Sequence, residues 1–149
     1  MRLFFAGLIL GVGLAAGRAE EVVSRIGFGS CYKPEKSTPL WGKVAEYDPQ
    51  VWLWLGDNVY VDFINGKYVK TDLEPKAFEQ GYERMAKSEG MATLKKLPPR
   101  QVMATWDDHD YGLNDAGKNW GRKKEAKKAF VKFWGVEEKA DGVYSSRDF

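Results

Sequence analysis

The chain is 149 residues long, with 23 basic and 21 acidic side chains, one histidine and one cysteine. That length holds one small domain, for which an aromatic share of 14% supplies bulky core material. A lone cysteine excludes an internal disulfide, and a net charge of +2 gives no general attraction to nucleic acid or anionic lipid.

Residues 1–19 read as an export signal. Arg2 makes a basic start, Leu3 to Leu14 is an almost unbroken apolar run, and Gly17-Arg18-Ala19 surrounds a cleavage point with small residues. A membrane anchor is the competing reading, but the run is shorter than the roughly 20 residues a spanning helix needs. The expectation is an exported protein, periplasmic or extracellular, with its domain over 20–149. Removing Arg2 and Arg18 brings basic and acidic residues into balance, so no nucleic-acid partner is indicated. No later segment is apolar enough to span a bilayer, and nothing in the sequence specifies an oligomeric state.

Glu21 to Phe28 is β-branched and apolar and ends in Gly29-Ser30-Cys31, which predicts a strand running into a tight turn with the thiol at its end. In an oxidising setting such a thiol is expected to be buried, metal-bound or reactive. Thr38-Pro39 is an N-cap and first-turn pair, and Leu40, Trp41, Val44 and Ala45 share a face, predicting a helix over Pro39 to Tyr47 that Asp48-Pro49 stops. Val51 to Leu55 is apolar on both faces, as in a strand covered on both sides, and Gly56 ends it.

After a polar stretch, Pro75 opens a helix with Ala77, Phe78, Gly81, Tyr82, Met85 and Ala86 at helical spacing, and a further turn through Leu94 ends at Pro98-Pro99. Gln101 to Thr105 reads as a third strand, and Arg122 to Trp134 as a helix with Ala126, Ala129, Phe130, Phe133 and Trp134 on one face. The predicted order is β-α-β-α-β-α, an α/β domain whose ligands gather beyond the carboxyl ends of the strands.

Those strand ends carry the chemistry. Gly56-Asp57-Asn58-Val59-Tyr60-Val61-Asp62 follows the second strand, and Thr105-Trp106-Asp107-Asp108-His109-Asp110-Tyr111-Gly112 closes the third. Gathering Asp57, Asp62, Asp107, Asp108 and Asp110 in one place requires cations or shifted protonation. Asp57 alone reads equally well as a helix cap or Asx turn. Three carboxylates and a histidine in four consecutive positions are not expected all to be caps. Neither cluster has the alternating oxygen ligands and central glycine of a calcium-binding EF-hand loop. The six tryptophans suggest core more than a sugar-stacking stripe, and the basic run from Arg122 to Lys132 a solvated helix face more than a phosphate lure.

Gly29-Ser30-Cys31, the Gly56–Asp62 segment and Trp106 through Gly117, continued by Gly142-Val143-Tyr144-Ser145-Ser146, resemble the PhoD-like alkaline phosphatases of the metallophosphatase superfamily in order and spacing. The resemblance implies a β-sandwich flanked by helices, of which this chain is expected to be the N-terminal, truncated part. It also implies hydrolysis of a phosphate ester with Fe3+ and Ca2+. By position it implies a bridging carboxylate at Asp57, iron ligation by Cys31 and Tyr60, and Asp108 and His109 where the superfamily carries its Asn-His pair. The candidate metal ligands are Cys31, Asp57, Tyr60, Asp62, Asp107, Asp108 and Asn114. The candidate catalytic residues are Asp57 and His109, the latter to protonate the leaving group. Two function classes follow, an exported metal-dependent phosphoesterase and an inactive exported metal-binding fragment.

Overall fold

A computed structural model of the chain describes residues 22–36, 39–69, 73–97, 101–139, 142–146 and 148. The export segment, Thr38 and Pro98-Pro99 lie outside the described residues. Three strands, β1 (Ile26–Gly29), β2 (Val51–Leu55) and β5 (Val102–Thr105), form a parallel sheet with β2 in the centre. Helix α1 (Leu40–Tyr47) connects β1 to β2, and α2 (Lys76–Ala86) with α3 (Glu89–Leu94) lies between β2 and β5. Beyond β5 come α4 (Asp108–Tyr111) and α5 (Lys123–Trp134). The chain is therefore an α/β fold in which the expected alternation appears with three additions, one of them the single-turn α4 after β5.

The first addition is the hairpin of β3 (Phe63–Ile64) and β4 (Lys67–Tyr68), inside the stretch read as merely polar. Asn65 and Gly66 turn it with φ of 50° and 78°, the left-handed pair that a two-residue hairpin needs. The second is a break between α2 and α3, where the Ser88 hydroxyl accepts from Met91 N at 3.3 Å and starts a new helix. At the end of α1, Asp48 adopts a left-handed φ of 52° and its N–H caps Val44 O before Pro49 stops the helix.

One face of the sheet holds the core. Alternate positions put Trp52 and Trp54 on the same side of β2, where Trp41 of α1 packs against both at 5.5 and 5.9 Å between ring centroids. Tyr32 closes the cluster at 5.4 Å from Trp41 and 5.3 Å from Trp54. The strand beside these indoles has no room for side chains, since a Cβ on Gly27 would stand 2.6 Å from Trp52 Cε3. These tryptophans are core, as their spacing suggested.

The expectation that β2 is covered on both faces is corrected on the other side. Val51 is buried there, but Leu55 is 49% exposed, and Ile26 and Phe28 on β1 are 48% and 67% exposed. The helices lie over the tryptophan face, which leaves an apolar surface uncovered among the described residues. None of the described helices is long and apolar enough to cross a membrane. Along the basic run, Arg122 pairs with Glu125 at 3.5 Å, Lys127 with Glu138 at 3.3 Å and Lys132 with Glu79 at 3.0 Å, as a solvated face does.

Candidate metal centre

The ends of β1, β2 and β5 are tied side by side by backbone and carboxylate bonds. Cys31 N donates to Gly56 O at 3.3 Å and Tyr32 N to Asp57 O at 2.9 Å, so the first strand end is latched to the second. Gly56, with φ of 104°, lets β2 turn where a Cβ would sit 2.8 Å from Asp107 Cβ. Asp57 follows in the left-handed region at φ 51°, and Cys31 sits there at φ 55°. Two non-glycine residues in this uncommon conformation flank one point.

The third strand end is organised by Asp107 and Asp110. The Asp107 carboxylate accepts from Asp108 N at 2.9 Å and from the Asp110 backbone N–H, and the Asp110 carboxylate accepts from Asp107 N at 2.9 Å, a reciprocal pair that makes a capping box on α4. Two of the three clustered carboxylates therefore cap a helix, and Asp108 and His109 do not, in keeping with the expectation that they could not all be caps. Asp110 also accepts from Asn58 N at 3.1 Å, Asn58 Nδ2 at 3.1 Å and Val59 N at 3.3 Å, while Asn58 Nδ2 donates to Thr105 O at 2.7 Å. Burial pushes the Asp110 carboxyl up to about 7, against the pull of the Asp107 and Asn58 donors. Its role is to staple the second cluster to the first.

With the strand ends fixed, Asp57, Asp108 and His109 each bring a ligand atom within 4.8 Å of the others. The histidine is oriented from behind. Its Nδ1 lies 2.9 and 3.0 Å from the two oxygens of Asp62, a fully buried carboxylate that also accepts from Asn114 N at 3.0 Å. That engagement leaves Nε2 as the nitrogen available to a ligand. Two tyrosines brace the ring, Tyr60 at 4.2 Å and Tyr68, delivered by the β3–β4 hairpin, stacked at 5.3 Å.

Asp57 is the hub. Tyr60 Oη donates to its Oδ2 at 3.1 Å and Cys31 Sγ lies 3.5 Å from the same oxygen, while Oδ1 is buried with no hydrogen-bond partner among the described residues. Burial raises the Asp57 carboxyl above the usual carboxylate range, opposed by His109 and raised further by Asp108. Burial, then the Asp57 charge, holds the Tyr60 phenol well above its ordinary value. An orphaned carboxylate oxygen beside a second carboxylate fits a cation, which would relieve both the lost hydrogen bond and the repulsion.

The structure distributes the other sequence candidates as follows. Cys31 and Tyr60 meet Asp57, with Cys31 exposed rather than buried. Asp62 stands behind His109, and Asp107 is spent on its cap. Asn114 turns its side-chain amide to Asp115, and Asp108 Oδ2 accepts from Asp115 N. The sequence reading missed Asn58 and the placing of Tyr68. The Asn65-Gly66 pair between Ile64 and Lys67 was the available signal for the hairpin that carries Tyr68. No family model, curated protein or solved structure matches the chain.

Proposed function

We propose that this chain is an exported metal-dependent phosphoester hydrolase of the PhoD-like type, using Fe3+ and Ca2+. The observation that carries the reading is the convergence of Asp57, Asp108 and His109 from two strand ends, with an unpartnered buried oxygen on Asp57. The motif order supports the family, and the uncovered apolar face at Ile26, Phe28 and Leu55 suits a sheet that forms one layer of that family's β-sandwich.

Asp57 and Asp108 would hold the cations, with Cys31 Sγ and Tyr60 Oη as further anionic donors for iron. A cation held there supplies positive charge to phosphoryl oxygens and lowers the pKa of water. The only free nitrogen of His109 cannot both ligate a cation and deliver a proton. Nε2 would serve the leaving oxygen instead, the donor being the imidazolium form, in which Asp62 accepts from Nδ1–H while Nε2–H is given up.

Two experiments test the reading. Calcium-dependent hydrolysis of p-nitrophenyl phosphate by the recombinant chain should be abolished by chelator and by Asp57→Ala; a rate indifferent to both would overturn it. Iron binding without that hydrolysis would favour the inactive metal-binding protein instead. Iron-loaded protein should show a charge-transfer absorption that Tyr60→Phe weakens, and a colourless iron-loaded protein would remove Cys31 and Tyr60 from the ligand set.

A further inference from the structure

A cavity of about 520 Å3 opens between Trp106, at the end of β5, and the first turns of α5. Its volume lies within the roughly 300–1,000 Å3 of small-molecule sites. It shares no lining residue with the cluster of Asp57, Asp108 and His109. Every charged side chain that lines it is a lysine: Lys118, Lys123, Lys124 and Lys127. The rest of the lining is Trp106 and Trp120, both partly exposed, and two glycines.

The partners of these lysines set them apart from the rest of the basic run. Arg122, Lys127 and Lys132 have carboxylate partners, and Lys127 also donates to Lys139 O at 2.8 Å. Lys118, Lys123 and Lys124 have no such partner among the described residues. Three ammoniums thus border one opening without a counter-charge, and an anion would relieve their repulsion. The cavity also lies at the start of α5, a 12-residue helix whose dipole is positive at that end and whose N-cap, Arg122, makes no side-chain capping bond. Lys123 Nζ is held 4.9 Å from the centre of the Tyr111 ring, and Trp120 Nε1 donates to Tyr111 O at 2.9 Å, which fixes one ammonium and one indole. Apolar walls beside charge of one sign focus the field into a cleft.

We infer that this cavity binds a small oligophosphate, either inorganic or the phosphate chain of a nucleotide, at a site separate from the metal centre. Lysines meet phosphate as point charges, whereas planar carboxylates are better matched by the arginine fork. Ammoniums spread around one opening suit an anion with several charged phosphoryl groups rather than a single one. The inference stands on this cavity alone and does not depend on the phosphoesterase reading.

Calorimetric titration of the full chain with tripolyphosphate, inorganic phosphate and ATP tests this, with Asp57→Ala titrated in parallel. Tripolyphosphate should bind at least about tenfold more tightly than phosphate, since each added charge ~4 Å from an ammonium is worth about fivefold even in water. Asp57→Ala should retain that binding. Lys118→Glu and Lys124→Glu, which turn an attraction into a repulsion at exposed positions, should each weaken it at least about tenfold. A carboxylate in the first turn of α5 favours the helix, so the thermal midpoint of Lys124→Glu should not fall with its affinity. Tighter binding of ATP than of tripolyphosphate would assign the site to a nucleotide, and equal or weaker binding to the phosphate chain itself. Loss of binding in Asp57→Ala would place the anion at the metal centre and overturn the inference. So would tripolyphosphate binding that neither lysine variant weakens, or no binding at all.

Discussion

At the scale of single residues, the division of labour among the carboxylates decides what each substitution does. Asp62 touches the histidine and not the converging ligand atoms, so it is a positioning residue. Asp62→Asn should lower kcat by about 100-fold, within the range of lost acid–base assistance, while metal affinity changes by less than about tenfold. A loss of metal equal to that of Asp57→Ala would instead make Asp62 a ligand. His109→Asn separates the two roles open to Nε2: hydrolysis should fall with the cation retained, whereas loss of the cation would assign that nitrogen to the metal.

At the scale of elements, the site exists because three strand ends are fastened to one another. Asp110 is the fastener, accepting from Asp107, Asn58 and Val59 with no exposure to solvent that could replace it. Asp110→Ala leaves those buried donors unpaired, and urea unfolding should show a loss of about 3 kcal/mol. Gly56→Ala forces a Cβ against Asp107 at a φ of 104°, which should cost about 1–3 kcal/mol and loosen the metal site with it. An alanine variant as stable as wild type would show that the β2 and β5 ends are free to separate.

The parts of this arrangement written in local pattern were legible in the sequence. Helical spacing located α1, α2 and α5, and the apolar runs located all three parallel strands. The strand-end rule brought Cys31, Asp57 and His109 to one region. What stayed hidden depends on partners far apart in the chain. That Asp110 would spend itself on Asn58, 52 residues away, and Asp62 on His109, 47 residues away, has no periodicity to betray it. For the same reason, Asp107 and Asp62 looked no different from Asp57 until their hydrogen bonds were seen.

At the scale of the whole molecule, the asymmetry of the sheet matters most. One face is packed with tryptophan and helix, while the other shows Ile26, Phe28 and Leu55 to solvent. Phe28→Lys should leave the unfolding free energy within about 0.5 kcal/mol of wild type, as for a surface position, and raise solubility. A large destabilisation would mean that this face is covered in solution. The charged end of the molecule lies at the strand ends, where the cation is expected to stabilise the fold by mass action, about 2.7 kcal/mol at a free metal concentration 100 times its Kd.

The holding of a cation by Asp57 and Asp108, with His109 beside it, is the claim on which the rest stands. Isothermal titration of chelator-stripped protein with metal, repeated on Asp57→Ala of matched circular dichroism, tests it most directly. Saturable binding to the wild type, weakened at least about 100-fold by Asp57→Ala, is the expected result. Equal binding by both proteins, or none by either, would contradict it.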